Sequence, residues 1–358
     1  MDKLRFGLVG CGKIARRHAN LLGKGEIQGA ELGAVCDLNQ ERADEFAEEY
    51  GVQAYYDPED MAAAAEIDVL SVLTPSGLHA NNVKALAPFG KPIVVEKPMA
   101  LRLSDADDVI EACDRHGVKL FVIKQNRFNV PIMLLREAID SGRFGKLILG
   151  TVRLRWCRPQ SYYEEAAWRG TWQHDGGVLT NQASHHLDLL VWMMGEVESV
   201  FAKATRALAN IEAEDTAVVT LKFRSGAIGV IEATTATRPK DLEGSLSVLG
   251  EGGSVVIGGF AANQLETWQF TDSVPDDEAV FEKRGSNPSH PYGYAHKCYY
   301  EHVVDCIING SEQLVDGLGG RKSLELISAI YESVETGREI PLRFSPSLCR
   351  LGRAPGES

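Results

Sequence analysis

Residues 4 to 15 read LRFGLVGCGKIA, and this stretch decides the fold of the amino-terminal third of the chain. The apolar run Leu4 to Val9 predicts a buried strand, and the pattern G-x-G-x-x-A at Gly10, Gly12 and Ala15 then opens a helical segment. Glycines at such a turn let the backbone approach a pyrophosphate, whose charge the helix amino terminus receives. Any tight turn can use glycine, so the context carries the prediction. We expect a dinucleotide site with contacts from Gly10, Gly12, Lys13 and Ile14.

Strand-like and helical segments alternate as far as residue 124. Further apolar runs occupy 31–36, 69–73, 93–95 and 120–123. The helix after the first of these is predicted to end at Gly51, and the helix before the last to begin with Ser104 as its N-cap. Such alternation predicts a parallel sheet with helices on both faces. The fold class is therefore α/β, with a Rossmann doubly wound parallel sheet as a domain over residues 1–124.

Asp37 follows the second predicted strand and bears on the choice of cofactor. A carboxylate at this position accepts hydrogen bonds from the ribose hydroxyls of NAD. A 2'-phosphate about 4 Å away would meet a repulsion of about 4 kcal/mol at an effective dielectric of about 20. This disfavours NADP, although Arg42 is close enough in sequence to reach such a phosphate.

The run PIVVEKP, residues 92 to 98, carries charges at the mouth of an apolar strand. Ligands bind beyond the carboxyl ends of strands in open parallel sheets, so this strand brings Lys97 to the ligand edge. The simpler alternative is a solvated lysine at the start of a loop. The same edge supplies the other predicted cofactor contacts, which are Thr74, Pro75, Ser76, His79, Glu96 and Lys97 itself.

From residue 125 the pattern changes to that of an antiparallel sheet. Strands are predicted at 148–156, 216–223, 227–235, 246–249 and 254–257, with hairpin turns at 224–226 and 250–253. Helices are predicted at 131–141, 182–194, 299–309 and 322–335. We expect residues 125–343 to form an α+β domain with an open, mainly antiparallel sheet, followed by a frayed tail over 344–358.

The stretch DGGVLTNQASHHLDLL, residues 175 to 190, raises a second chemical question. Asn181, His185 and Asp188 recur at spacings of four and three, so they line one stripe of a helix. A histidine on a helix is more often structural than catalytic. His185, His186 and Asp188 suggest a metal site, but adjacent helix residues diverge and no third ligand has standard spacing, so we predict no metal.

The bulk properties exclude several classes of protein. The chain has 358 residues and a formal charge of -13, which opposes general binding to nucleic acid or anionic lipid. Apolar runs fall short of the ~20 residues that span a membrane, and the amino terminus lacks the layout of a secretory signal. Seven scattered cysteines without a C-x-x-C pair predict reduced thiols. We expect a cytoplasmic protein.

These motifs together resemble the glucose-fructose oxidoreductase and inositol dehydrogenase family over nearly the whole chain. The shared features are the Rossmann glycines, E-K-P at residues 96–98, and a helix with H-x-x-D ahead of an antiparallel sheet. The resemblance implies that Lys97 and His185 are catalytic and act on one hydroxyl. Many members carry aspartate four residues before the histidine, where this chain has Asn181, and asparagine stabilises an imidazolium much less.

A narrower resemblance rests on KQNRFN (124–129), RPQSYY (158–163), WRGTW (168–172) and HPYGYAHKCYYEHVVD (290–305). These segments are similar to bacterial dehydrogenases that oxidise C3 of UDP-N-acetylglucosaminuronate on the way to diamino-uronate sugars of surface polysaccharides. The resemblance implies NAD, a UDP-sugar uronate substrate, a homotetramer built through the antiparallel sheets, and a downstream aminotransferase that uses pyridoxal phosphate. Further cofactor contacts are assigned to Asn126, Trp168 and Arg169. Substrate contacts are assigned to Lys97, Lys124, Asn126, Arg127, Asn129, Arg158, Gln160, Tyr162, Asn181, His185, Tyr292 and His296.

The residues themselves agree with an anionic substrate. Lys124, Arg127, Arg158 and Arg169 cluster in these motifs, and guanidinium groups suit carboxylate and phosphate. The aromatic residues of the same segments either stack on the sugar or uracil or pack a lid, and the sequence does not decide between the two. They are Tyr162, Tyr163, Trp168 and Trp172.

Oxidation of a secondary alcohol requires a base for the hydroxyl proton. A lysine normally titrates near about 10.4, but burial and a positive nicotinamide ring disfavour its charged form, so we expect the pKa of Lys97 to be depressed. Our hypothesis is that Lys97 takes the proton and His185 hydrogen-bonds the hydroxyl, with the reverse assignment as the close rival. The alternative functions are an NAD-dependent dehydrogenase of inositol or another polyol, and a non-catalytic NAD-sensing regulator.

Overall fold

The computed structural model describes residues 3–64, 66–272, 274, 277, 280, 294–342, 346 and 348–354. The chain divides into two compact units. The first comprises Met1–Lys124 and His296–Arg321, and the second comprises Gln125–Ala295 and Lys322–Ser358. The sequence placed 296–321 in the second domain, whereas the structure groups this segment with the first.

The first unit contains a six-stranded parallel sheet with the order β3-β2-β1-β4-β5-β6. This is the Rossmann order, with the crossover at β1 and β4 that creates a ligand crevice. The strands are β1 (Leu4–Val9), β2 (Ala30–Cys36), β3 (Gln53–Tyr55), β4 (Val69–Val72), β5 (Ile93–Val95) and β6 (Leu120–Val122). The helices among them are α1 (Lys13–Gly23), α2 (Gln40–Tyr50), α3 (Pro58–Ala63), α4 (His79–Leu86) and α5 (Leu103–Arg115).

Local sequence signals account for these elements. Strands β4, β5 and β6 are buried throughout, as expected for a sheet covered on both faces. Helix α2 begins where the Asn39 side chain accepts a hydrogen bond from the Arg42 backbone, and it ends at Gly51 in the left-handed region. The predicted cap of α5 is wrong, because the helix begins at Leu103, with Ser104 inside it and Arg102 as an N-cap without a side-chain hydrogen bond.

The segment His296–Arg321 packs within the first unit through contacts that no local pattern indicates. It contains most of α9 (Ala295–Ile308) and the start of α10 (Gly317–Thr336). The rings of Phe6 and Tyr300 lie 5.4 Å apart, and Lys119 Nζ donates to the Cys306 carbonyl over 2.8 Å. At the far end, Arg321 Nε donates to Asp107 Oδ1 over 2.5 Å. The Rossmann core is therefore completed by a segment that begins 172 positions after Lys124 in the sequence (296 − 124 = 172).

The second unit contains an eight-stranded sheet with the order β13-β12-β11-β7-β10-β9-β8-β14. All neighbouring strands are antiparallel except β7 and β10, which are parallel. The strands are β7 (Leu147–Arg155), β8 (Val197–Thr205), β9 (Thr216–Phe223), β10 (Ile228–Thr234), β11 (Glu243–Gly250), β12 (Gly253–Gly258), β13 (Gln264–Phe270) and β14 (Ile340–Pro341). The helices are α6 (Val130–Asp140), α7 (Gln160–Glu164) and α8 (Ser184–Met194), and a 3₁₀ turn covers Gln125–Phe128.

The predicted fold class is confirmed, since a parallel Rossmann sheet is followed by an open, mainly antiparallel one. Both predicted hairpins are present, joining β9 to β10 and β11 to β12. The prediction missed β8, β13 and the short β3 and β14.

The cysteines and the helices bear on two expectations about the whole chain. All seven cysteines lie among the described residues as free thiols. Within the described part of the chain, every helix is too short or too polar to cross a bilayer.

Candidate functional site

The turn between β1 and α1 is shaped to admit a ligand against its backbone. Gly10 has φ +104°, and a Cβ there would lie 3.0 Å from the Leu73 carbonyl group, so this position requires glycine. Gly12 has φ −85°, and a Cβ on it would meet no atom within 4 Å. Helix α1 starts at Lys13 with no side-chain cap and no acidic residue in its first turn. An uncapped helix amino terminus beside a glycine that faces open space is the arrangement that receives a pyrophosphate.

Asp37 ties this turn to the end of β2. Its carboxylate accepts hydrogen bonds from the backbone N–H groups of Cys11 and Asn39, each over 2.8 Å. The side chain remains partly exposed. The carboxylate is therefore held in place beside the glycine turn, as a partner for ribose hydroxyls must be. The residues present fit NAD, which the turn and Asp37 would hold by its pyrophosphate and a ribose.

His79 lies between the segments that follow β4 and β5. Its two ring nitrogens lie 2.7 Å from the Thr74 carbonyl oxygen and 2.7 Å from the Pro98 carbonyl oxygen. The side chain is fully buried, and this burial lowers the pKa of His79. Asn82 donates to the Thr74 hydroxyl over 2.9 Å. His79 was predicted to contact the cofactor, and in the structure its ring contacts the backbone carbonyl groups that follow the two strands.

Glu96 and Lys97 lie side by side at the end of β5 in opposite environments. The Glu96 side chain is buried, whereas Lys97 is partly exposed. Burial alone would raise the pKa of Glu96, but the hydrogen bond with His18 and the nearby imidazole of His296 outweigh it and hold that pKa well below its usual range. Glu96 Oε2 accepts a hydrogen bond from the Lys97 backbone N–H over 3.0 Å. A fixed anion thus lies behind the residue predicted to be the base.

His296 lies in the core of the first unit. Its Nε2 is 3.7 Å from Glu96 Oε1, and its ring is 5.3 Å from that of His18. The substrate contact that the sequence assigned to His296 stays a prediction. Tyr292, assigned the same role, lies outside the described residues. The group His18, Glu96 and His296 has one side-chain atom each within 4.8 Å of the others, which is the spacing of possible metal ligands.

In the second unit, the prediction that Asn181 lies on the same helix as His185 and Asp188 is wrong, because Asn181 lies in the turn before α8. Asn181 and His185 are partly exposed, whereas Asp188 is buried. Asn181 donates to Asp175 Oδ1 over 2.5 Å, and His185 Nε2 lies 3.2 Å from the amide nitrogen of Gln125. Asp188 accepts two hydrogen bonds from Arg127, over 2.8 and 2.9 Å. The Arg127 guanidinium, assigned to substrate, therefore anchors the 3₁₀ turn to α8.

His186 points away from His185, as adjacent helix residues must. It is fully buried, and burial lowers its pKa to about 4. A neutral imidazole packed 6.0 Å from the Trp156 ring is a core residue.

The arginine side chains of these motifs pair with carboxylates of the protein. Arg158 donates to Asp241 over 3.0 Å, and Arg169 donates to Glu165 over 2.7 Å and lies 4.2 Å from the Tyr162 ring. Gln160 exchanges hydrogen bonds with the backbone of Asn210. Beside them lies a cavity of about 420 Å³, lined by Gln160, Tyr163, Glu164, Arg169, Gly170, Thr171, Arg206, Asn210, Ile211 and Glu212.

The packing alternative holds for two of the aromatic residues in these motifs. Tyr163 is buried against Ala209 and Ile211, and Trp172 packs on Tyr331 at 5.1 Å. Asn129, assigned to substrate, donates to the carbonyl groups of residues 261 and 262. The substrate and cofactor contacts assigned to Lys124, Asn126 and Trp168 stay predictions.

A buried carboxyl group that the sequence did not single out supports the approach to α8. Glu214 Oε1 accepts hydrogen bonds from the Leu179 backbone over 3.0 Å and from the Tyr331 hydroxyl over 3.1 Å. The Tyr331 hydroxyl also lies 2.9 Å from the Thr180 hydroxyl. Burial raises the pKa of Glu214 to about 7. The turn that leads to Asn181 and His185 is thus wrapped around a carboxyl group that holds its proton near neutral pH.

Substitution of Gly12 separates cofactor binding from folding. Because a Cβ there meets open space, we expect Gly12→Ala to unfold within about 2 °C of the parent protein while the Kd for NADH rises about tenfold or more. Gly10→Ala is the contrasting variant, and its strained φ should cost about 1–3 kcal/mol of stability. Thermal unfolding and NADH fluorescence titration measure both. Unchanged NADH affinity in Gly12→Ala would exclude this turn as the site.

Glu214 makes stability depend on pH with a defined sign. Between about pH 4.5 and 7 the folded protein keeps a proton that the unfolded chain releases, so stability falls as pH rises through this window and then levels off. Glu214→Gln resembles the protonated form, so it should gain about 1–3 kcal/mol relative to the parent between pH 5 and 8. Melting temperatures across this range test it, with the exposed Glu251→Gln as the control. A constant difference between Glu214→Gln and the parent would contradict the raised pKa.

Comparison with known proteins adds to this geometry. Residues 4–124 match the family description "Oxidoreductase family, NAD-binding Rossmann fold", and residues 136–342 match "Oxidoreductase family, C-terminal alpha/beta domain". The chain is 30% identical to myo-inositol 2-dehydrogenase of Thermotoga maritima, over 95% of this chain and 98% of that protein. It is 27% identical to scyllo-inositol 2-dehydrogenase (NAD(+)) of Bacillus subtilis, over 95% and 96%.

Two solved structures are more similar in sequence. One is the WlbA dehydrogenase from Bordetella pertussis in complex with NADH and UDP-GlcNAcA, with 44% identity, a TM-score of 0.89 and coverage of 96% of this chain and 98% of that one. The other is the WlbA protein from Chromobacterium violaceum in complex with the same two molecules, with 40% identity, a TM-score of 0.89 and coverage of 96% and 97%. With both family domains matched, the chain belongs to the Gfo/Idh/MocA oxidoreductase family and carries an NAD-binding Rossmann domain.

Proposed function

We propose that this protein oxidises the C3 hydroxyl of UDP-N-acetylglucosaminuronate to a ketone with NAD. The observation that carries the proposal is the 40–44% identity, over nearly the full chain, to two dehydrogenases solved with NADH and UDP-GlcNAcA. The inositol and apiose dehydrogenases among the relatives are 24–31% identical. The segments 124–129, 158–163 and 168–172 support the same substrate, since they concentrate arginine and aromatic residues in a chain of net charge -13.

The proposed chemistry uses residues of both units. Bound NAD supplies the acceptor for the hydride from C3. Lys97 takes the hydroxyl proton, and its backbone is held by the Glu96 carboxylate. His185 hydrogen-bonds the reacting hydroxyl, with its imidazole placed against Gln125. Asn181 is neutral, but it donates a hydrogen bond to the buried Asp175. The negative charge of Asp175 therefore lies next to the side chain that occupies the usual aspartate position.

The ketone product indicates the next reaction. A 3-keto sugar is a substrate for transamination, so we propose that a pyridoxal phosphate aminotransferase consumes it in the synthesis of diamino-uronates for surface polysaccharide. Both NAD and nucleotide sugars are cytoplasmic metabolites, and we propose that compartment for the enzyme.

Mass analysis of the sugar tests the function directly. After incubation with NAD, UDP-N-acetylglucosaminuronate should lose two hydrogens, whether NADH leaves the protein or is reoxidised in place. Lys97→Met should lower kcat/KM about 10²- to 10⁴-fold, as expected for loss of a general base, and a loss below about tenfold would remove Lys97 from proton transfer. His185→Asn is the matched variant for the second role.

The rival functions give different outcomes in the same assay. Oxidation of myo-inositol but not of the nucleotide sugar would favour a polyol dehydrogenase, the activity named for the Thermotoga maritima relative. Binding of NADH without oxidation of any nucleotide sugar or polyol would favour an NAD-sensing regulator. Competition by UDP for substrate binding would support the nucleotide sugar.

We further propose that the protein assembles as a homotetramer through its second sheet. One face of this sheet exposes the apolar side chains of Phe201, Val218 and Ile228, which are 38%, 50% and 56% exposed. Paired registers place these three residues on the same face of β8, β9 and β10. These exposed apolar side chains on one face of the sheet support an interface there.

The mass in solution tests this assembly. Sedimentation velocity should give about four times the 39.1 kDa mass of the chain. Ile228→Lys should give smaller species, because a charge would be buried in the interface. Leu208→Lys is the control, since Leu208 is an exposed leucine in a loop outside the sheet. A monomer in the parent protein would contradict the proposal.

A further inference from the structure

A buried polar cluster lies in the first unit behind the residue proposed as the base. It consists of side chains from α1, β4, the end of β5 and α9, and it has almost no contact with solvent. Its members are His18, Ser71, Glu96, His296 and Tyr300, with exposures of 0%, 0%, 7%, 1% and 0%. Polar groups removed from water are tolerated when their hydrogen bonds are made within the protein, and such networks hold their members rigidly.

The hydrogen bonds of the cluster run in one direction. Burial alone would raise the pKa of Glu96, but His18 and His296 hold it well below its usual range, so near neutral pH both carboxylate oxygens accept. His18 Nε2, 3.1 Å from Glu96 Oε1, therefore carries the hydrogen, and His18 Nδ1 accepts from the Tyr300 hydroxyl over 2.6 Å. The Tyr300 oxygen in turn lies 3.3 Å from the Ser71 hydroxyl, which donates to it. The charge of Glu96 thus sets the tautomer of His18 and the orientation of Tyr300.

This series of hydrogen bonds ends at the backbone of Lys97. The second oxygen of Glu96 accepts the Lys97 N–H over 3.0 Å. On the other side of Lys97, the carbonyl oxygen of Pro98 lies 2.7 Å from His79 Nδ1. The peptide group before the lysine and the peptide group after Pro98 are therefore both held by buried side chains, which limits the movement of the Lys97 backbone between them.

We propose that Glu96, held by His18 and Tyr300, is a positioning residue that fixes Lys97 for proton transfer. The inference rests on the proposed function of Lys97 as the base. It adds α9 to the catalytic apparatus, because Tyr300 lies on that helix and follows Lys97 by about 200 positions in the sequence. A base must be held within hydrogen-bond reach of the proton that it removes, and small displacements of such groups cost rate.

A metal ion is the competing explanation for the same residues. Atoms of His18, Glu96 and His296 lie within 4.8 Å of one another, and two histidines with one carboxylate form a known zinc ligand set. Both nitrogens of His18, however, lie at hydrogen-bond distance from other protein groups. Hydrogen bonding therefore explains the geometry of His18 without an ion.

Tyr300→Phe tests the inference, because it removes one hydroxyl group and keeps the ring that packs on Phe6. We expect the Lys97 amide to exchange its hydrogen about fivefold faster or more, read by mass spectrometry on peptides that contain it. We also expect kcat to fall about tenfold while the Kd for NADH stays within about twofold. Tyr50→Phe is the matched control, since it removes a tyrosine hydroxyl that donates to Asn20 in the same unit.

A second variant keeps the test open if Tyr300→Phe does not fold. Glu96→Gln retains the shape of the side chain but replaces one acceptor oxygen with a donor, so it should also speed exchange at the Lys97 amide. Combined with Tyr300→Phe, it should add little further loss of kcat, because both substitutions interrupt the same series of hydrogen bonds.

Each result has a defined meaning. Exchange at the Lys97 amide that matches the parent in both variants overturns the inference, as does faster exchange with unchanged kcat, or lower kcat with unchanged exchange. Stoichiometric zinc in the purified parent protein that is lost in Glu96→Gln overturns it in favour of a metal site. The exchange measurement needs no substrate. If UDP-N-acetylglucosaminuronate is not oxidised, the proposed function fails. The exchange result still decides whether these hydrogen bonds hold the Lys97 backbone.

Discussion

The buried Glu96 carboxylate constrains how the first unit is assembled. An ionised group removed from water is stable only where donors are fixed around it. Its partners come from α1, from α9 and from the next residue of its own strand end. To satisfy one carboxylate, the fold must therefore bring together a helix near residue 18, a strand end near residue 96 and a helix near residue 300. The ligand edge of the sheet is built on that requirement.

Much of the fold could be predicted because its signals are local. Strand β5 was predicted at both of its ends, since three buried β-branched residues stand between a proline and a charge. Strand β8 was missed because its apolar residues are interrupted by Glu198 and Lys203 and its burial does not alternate regularly. The placement of 296–321 in the first unit depends on contacts such as Lys119 with Cys306, which leave no pattern in either segment.

The candidate site divides in the same way. Gly10, Gly12 and Asp37 follow from backbone geometry at a strand-to-helix turn, and the structure gives each the surroundings that a dinucleotide requires. The partners of the cations could not be predicted, because the choice between a substrate carboxylate and Asp188 for Arg127 is made by tertiary structure. Glu214 was missed for a related reason. A glutamate in the sequence gives no sign of whether it will be buried or solvated, because tertiary packing decides this.

The contribution of α9 to the first unit has a consequence for biosynthesis. A ribosome that has translated the first 124 residues has made every strand of the Rossmann sheet, yet Phe6 lacks the aromatic ring that covers it, and Glu96 lacks His296. The nascent amino-terminal segment lacks these two contacts until the codons for α9 are read. Maturation of the nucleotide-binding half is thereby tied to synthesis of the chain as far as Arg321, and products that end before α9 lack contacts of its finished form.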